Sequence, residues 1–171
     1  MMEVIIRAIN VKDAEDINEM RVMDNVKENI LSITSERISK SKEFIESLGN
    51  NDHTYVAEIF EEGKSKVVGV CGLSVAQNPR LRHCGVIGIM INKKYQGRGI
   101  GRMLLEKVVD LADNWLMLVR LELSVFCDNE RAINLYKSLG FVEEGVKKYA
   151  AIRNGKYDDE FIMARYNRNI V

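Results

Sequence analysis

The chain has 171 residues, 46% hydrophobic and 29% charged with one proline, which predicts a single ordered domain over 1–171 and no disordered tail. Lysine plus arginine balance aspartate plus glutamate at 25 each, so no global field favours nucleic acid or a membrane surface. The opening Met-Met-Glu-Val-Ile-Ile-Arg lacks a signal-peptide pattern and no apolar run approaches a membrane span; the expectation is a cytoplasmic protein with neither nucleic acid nor membrane as partner.

Val4 to Arg7 reads as a first strand, and Asn10 with Asp13 three residues later reads as a helix start. Ala14, Ile17, Met20 and Met23 give that helix its apolar face. Asp24 to Ser32 is poorly patterned. A second helix is expected from Thr34 or Ser35, carrying Ile38, Phe44, Ile45 and Leu48 up to a C-cap at Gly49-Asn50. Tyr55 to Phe60 and Val67 to Val75 alternate as two strands around a turn at Glu61 to Lys64, hence a hairpin that ends before Asn78-Pro79-Arg80.

Val86 to Ile91 is apolar on both alternating faces, the pattern of a strand buried on both sides. A glycine-rich turn follows. Beyond it Ile100, Met103, Leu104, Val108, Leu111, Ala112 and Trp115 recur at helical spacing. Leu121 to Phe126 is the next strand, and Asp128-Asn129 precedes a short helix with Ala132, Ile133, Leu135 and Tyr136 that Gly140 ends. The remainder, Phe141 to Ile152 and Tyr157 to Tyr166, is a hairpin whose Asn154-Gly155 tip favours a type I′ turn. A strand–helix–strand unit that crosses right-handedly places the strands before and after the long helix in parallel, within a mostly antiparallel sheet.

Gly97, Gly99 and Gly101 carry no side-chain bulk and tolerate positive φ, so a ligand can approach the backbone of this turn. Unpaired N–H groups and the positive end of the helix dipole make it an anion site, phosphate above all, with Arg98 and Arg102 adding charge. The dinucleotide pattern fails, since it needs glycine where Arg102 or Leu104 stands, and the mononucleotide loop fails for want of Gly-Lys-Ser/Thr.

What fits is Gln96-x-x-Gly99-x-Gly101, which resembles the acyl-CoA pyrophosphate loop of the GNAT superfamily of N-acetyltransferases. A second signature follows in order: Asn129, Ala132, Tyr136, Gly140 and Phe141 resemble the superfamily's Asn-x-x-Ala-x-x-x-Tyr-x-x-x-Gly-Phe. Asn78-Pro79-Arg80 with His83, Lys147 to Ala150, Arg153 to Tyr157 and Met163-Ala164-Arg165 are similar to bacterial L-amino-acid N-acetyltransferases within it. The resemblance implies an α+β fold of α/β/α type: a mixed, mostly antiparallel seven-stranded sheet with a splayed central parallel pair and about four helices.

It also implies chemistry. Acetyl-CoA would be the cosubstrate, its pyrophosphate held by backbone N–H groups of Gln96, Gly97, Arg98, Gly99, Ile100, Gly101 and Arg102, and its pantetheine arm paired with Ile89, Met90 and Ile91. Asn129 would cap its helix and reach the cofactor arm. Transfer from a thioester to a primary amine needs a neutral amine and an acid for the leaving thiolate. Tyr136 is the candidate acid, since a phenol with pKa of about 10 hydrogen-bonded to sulfur can protonate a thiolate of about 8.5. The strand before the loop has no ionisable group, so Glu122, His83 or water is left as the base. A paired strand carboxylate and a satisfied histidine are the structural readings of the first two.

Direct attack requires no covalent intermediate. Cys71, Cys84 and Cys127 are odd in number and set among apolar residues, without metal-ligand spacing, and read as reduced, mostly buried thiols. The expected acceptor is a free amino acid or similar small amine; the oligomeric state is left open by the sequence, and the resemblance adds a homodimer as one option because dimers are common in the superfamily. The alternatives are an acetyltransferase of protein N-termini and a non-catalytic acyl-CoA-binding module, because fold does not set substrate.

Overall fold

The computed structural model describes residues 3–171; the first two residues of the opening stretch lie outside them. In chain order the elements are β1 (Val4–Ala8), α1 (Ala14–Val22), α2 (Ile38–Glu46), β2 (Asp52–Glu61), β3 (Lys64–Val75), β4 (Cys84–Ile91), α3 (Ile100–Asp110), β5 (Arg120–Phe126), α4 (Glu130–Ser138), β6 (Val142–Arg153) and β7 (Lys156–Tyr166). This is the predicted succession. The seven strands are ordered β1-β2-β3-β4-β5-β7-β6. β4 and β5 are parallel, registered at Cys84–Val86 against Arg120–Glu122, the beginning of each strand, while β1 with β2, β5 with β7 and β6 with β7 are antiparallel.

By contacts the chain falls into two compact units, the first made of residues 3–73 with Gly88–Val108. Its core gathers Ala14, Ile17 and Met20 of α1, Ile45 of α2, and Val56, Val67 and Val70 of β2 and β3. α1 is entered through a short 3₁₀ turn at Val11–Asp13 with a capping box: the Asn10 side chain accepts from Lys12 N–H at 3.1 Å, and Asp13 accepts from Asn10 N–H at 2.8 Å. α2 begins at Ile38, three or four residues later than its apparent cap. Thr34 and Ser35 lie in a turn closed by Glu36 N–H to Ile33 C=O at 3.2 Å, and the Glu36 carboxylate is taken by Arg21 at 2.6 Å and Lys40 at 2.9 Å. The turn of the β2–β3 hairpin has Glu62 and Gly63 at φ 51° and 77°, the two positive values of a type I′ turn.

The second unit comprises Ser74–Ile87 with Val109–Val171. α3 runs on into a π-helical segment, Leu111–Trp115, where Leu116 N–H reaches back five residues to Leu111 C=O at 3.0 Å. The extra residue in that turn carries Trp115 out of phase, and it is 77% exposed instead of continuing the buried stripe. Met103 also lies outside the stripe, which consists of Ile100, Leu104, Leu105, Val108 and Ala112. Leu121, Leu123 and Val125 alternate as buried residues along β5. β4 differs from expectation, since Val86 is 55% exposed: apolarity on both faces of a sequence need not mean burial on both. Asn154 and Gly155, at φ 51° and 76°, form the expected type I′ tip of the β6–β7 hairpin.

Candidate active site

The glycine turn lies in the first unit and is held from behind. The fully buried Asn92 donates its N–H to Val68 C=O at 2.9 Å and accepts from Lys94 N–H at 3.0 Å, which starts a short 3₁₀ turn at Lys93–Tyr95. Tyr95 is buried, its hydroxyl donates to Glu61, and that carboxylate pushes the phenol up to about 12. Arg98 stacks 5.2 Å from the Tyr95 ring centroid. The Gln96 amide donates back to Ile91 C=O at 3.1 Å, joining the end of β4 to the turn.

Two of the three glycines carry positive φ, Gly97 at 77° and Gly99 at 83°, while Gly101 already lies in the first turn of α3. Met103 N–H donates to Gly99 C=O at 3.1 Å, so the helix begins at the second positive-φ glycine and its first N–H groups, at Ile100 and Gly101, face away from the helical ladder. A Cβ added at Gly97 or Gly99 would meet open space. A backbone concavity at a helix start, with the positive end of the dipole and two arginines, fits a pyrophosphate.

The second unit carries the other predicted residues. Asn129 caps α4, accepting from Ala132 N–H at 3.3 Å. Two turns on, Tyr136 is buried at 7% exposure with its ring tilted against Phe141 at 5.9 Å between centroids. Glu122, on the third residue of β5, is bonded to Arg120, which also binds Glu144 and reaches the Tyr166 hydroxyl at 3.1 Å. Glu144 is held down to about 2 by Arg120 first and Tyr166 second. His83 precedes β4. Its backbone C=O accepts from Val119 N–H at 2.9 Å and Arg120 N–H at 3.1 Å, and its side chain is exposed.

The structure thus groups the loop residues with Ile89–Ile91 in one unit, and Asn129 with Tyr136 on one helix in the other. Glu122 is bonded to Arg120, and no bond joins it to the His83 ring among the described residues. Sequence reading missed the supports: Asn92, Tyr95 and Glu61 behind the turn, and Arg153, which binds Asp128 at 2.5 Å and Asp158 at 2.6 Å and lies 4.2 Å over the Phe126 ring. These escape a local pattern because each has a link to a residue remote in sequence, Asn92 to Val68, Tyr95 to Glu61 and Arg153 to Asp128. Cys127 is held protonated, its thiol raised by burial and by Asp159, which is unfavourable for a nucleophile.

Compared with known proteins, the chain matches the Acetyltransferase (GNAT) family over residues 22–141. The chain belongs to this GNAT family. It is 33% identical over 165 residues to an L-amino acid N-acetyltransferase of Escherichia coli, covering 96% of this chain and 99% of that one. A GNAT-family acetyltransferase structure from Streptococcus pneumoniae superposes with a TM-score of 0.80 at 27% identity, over 96% of this chain and 99% of the other. A spermidine N-acetyltransferase from Vibrio cholerae, solved with CoA and spermine, has a TM-score of 0.82 at 23% identity, over 96% and 95%, a likeness of fold. As a GNAT member the chain is an acetyltransferase, and acetyl-CoA is the cosubstrate of the family.

Proposed function

We propose that this GNAT enzyme acts as one domain to move the acetyl group of acetyl-CoA onto the amino group of a free amino acid or a similar small primary amine, by direct attack. The observation that carries the reading is the likeness to an L-amino acid N-acetyltransferase, which runs over 99% of that enzyme's length. In this account the backbone of Gln96 to Arg102 holds the pyrophosphate, the Ile89–Ile91 backbone pairs with the pantetheine amides, and Asn129 adds a bond to the same arm. Tyr136 protonates the departing thiolate.

Proton removal from the amine falls to Glu122 acting through water, with His83, at the amino end of β4, as the second candidate. We further propose a cytoplasmic homodimer; no helix among the described residues is long and apolar enough to cross a membrane. The test is thiol release from acetyl-CoA against L-amino acids, polyamines and peptides with free N-termini. The account expects kcat/KM on at least one amino acid to exceed that on every peptide by tenfold or more; the reverse ranking would instead favour an acetyltransferase of protein N-termini. For the base, Glu122→Gln is expected to lose the acidic limb of the pH–rate profile and His83→Asn to keep it.

A further inference from the structure

The first unit holds a cleft of about 450 Å³ between the exit of β1, the last turn of α2 and the start of β2. That volume lies in the range of small-molecule sites, which pair an apolar lining with a few placed polar groups. Ile9, Ile45 and Leu48 supply the apolar lining here, and Asn10, Asp52 and Thr54 the polar groups.

Alternation along β2 decides which groups share a side. Val56 packs in one cluster with Ala14 and Ile17 of α1 and Ile45 of α2, so Thr54 and Asp52, two and four residues earlier on the strand, project to that same face. His53 and Tyr55 project to the other face, where the Lys107 ammonium lies 5.9 Å from the Tyr55 ring centroid; that cation is thus across the strand from Asp52.

The charge of the cleft has one sign. Among the described residues no lysine or arginine lines it, and Asp52 is its one carboxylate. α2 ends at the cleft with no basic residue in its last turn, so the negative pole of a nine-residue helix adds to the Asp52 charge. Asp52 accepts from Gly49 N–H at 3.0 Å, which fixes it against the helix end. An ionised carboxylate has about four acceptor positions, enough for Gly49 and a ligand together.

We propose that this cleft is a second small-molecule site and that it takes a short branched alkylammonium ion, with its charge on Asp52 and its chain on Ile9, Ile45 and Leu48. The site is distinct from the pyrophosphate turn: β2 runs its full ten residues from Asp52 to Glu61, whose carboxylate braces Tyr95 behind that turn, and this is about 30 Å of strand. β3 separates β2 from β4, where the cosubstrate is proposed to pair, so nothing in the site depends on which amine accepts the acetyl group.

The test titrates 3-methylbutylammonium, and 3-methylbutanoate as its carboxylate counterpart, into the full chain while the methyl NMR signals of Ile9, Ile45 and Leu48 are followed. These methyls report the cleft, so probe bound near β4 is not mistaken for it. The wild type is expected to give saturable shifts with the ammonium and at least a tenfold weaker response to the carboxylate. Asp52→Asn, which keeps an acceptor for Gly49, is expected to weaken the ammonium at least tenfold, and Val11→Trp, at an exposed position of the lining, to abolish the shifts by filling the cleft. Circular-dichroism melts verify that each variant folds. Absent shifts in the wild type, an equal response to both probes, or unchanged affinity in folded Asp52→Asn would overturn the site; if Asp52→Asn does not fold, the comparison of the two probes on the wild type decides alone.

Discussion

At the residue scale, the glycine turn and Tyr136 are proposed to serve the chemistry through different properties. Gly97 and Gly99 supply backbone conformation: a side chain at either meets no neighbour, but the left-handed φ costs an L-residue about 1–2 kcal/mol. Gly99→Ala should therefore raise the KM for acetyl-CoA about tenfold, with kcat changed much less, measured by steady-state thiol release. Tyr136 supplies a hydroxyl. Tyr136→Phe keeps the ring packing against Phe141 and should lower kcat about 100-fold while sparing acetyl-CoA affinity, measured by calorimetry. An unchanged kcat would remove the phenol from the mechanism.

At the element scale, Arg153 fastens the tip of the β6–β7 hairpin to the junction between β5 and α4 through Asp128, Asp158 and the Phe126 ring. Arg153→Met should cost about 1–2 kcal/mol and raise amide exchange at Asn154 to Lys156 and at the first turn of α4, more than in β2 and β3. Such tethers explain how far the sequence could be read. Period and caps marked β1, α1, the β2–β3 hairpin, β5, α4 and the β6–β7 hairpin, because those signals are local. The start of α2 escaped because Glu36 is claimed by Arg21 fifteen residues away, and the phase of Trp115 escaped because a π turn leaves no residue signature. At the glycine turn the spacing points to an anion site, whereas the Glu61 to Tyr95 bond that braces it spans 34 residues and has no pattern to find.

At the scale of the whole molecule, several carboxylates are bound by guanidinium groups and titrate far below their usual value of 4.5. Arg21 holds Glu36 at about 2, Arg7 holds Glu58 at about 2, and Arg120 holds Glu144 at about 2. A carboxyl lowered on folding stabilises the protein fully above its unfolded value and loses that contribution as the pH falls through the folded one. Melting temperature should thus decline from pH 4.5 towards 2. Glu36→Gln should cost about 2 kcal/mol at pH 7, and the difference from wild type should shrink as pH approaches 2.

The central claim is acetyl transfer from CoA to a small amine without an acyl-enzyme. It is tested most directly by incubating the protein with acetyl-CoA and mixed L-amino acids, then measuring free thiol, product mass and intact protein mass together. The account predicts thiol release equal to N-acetyl product, with the protein mass unchanged when acetyl-CoA is present alone. Acetylated protein formed before amine is added, or no turnover on any amine of the panel, would contradict it.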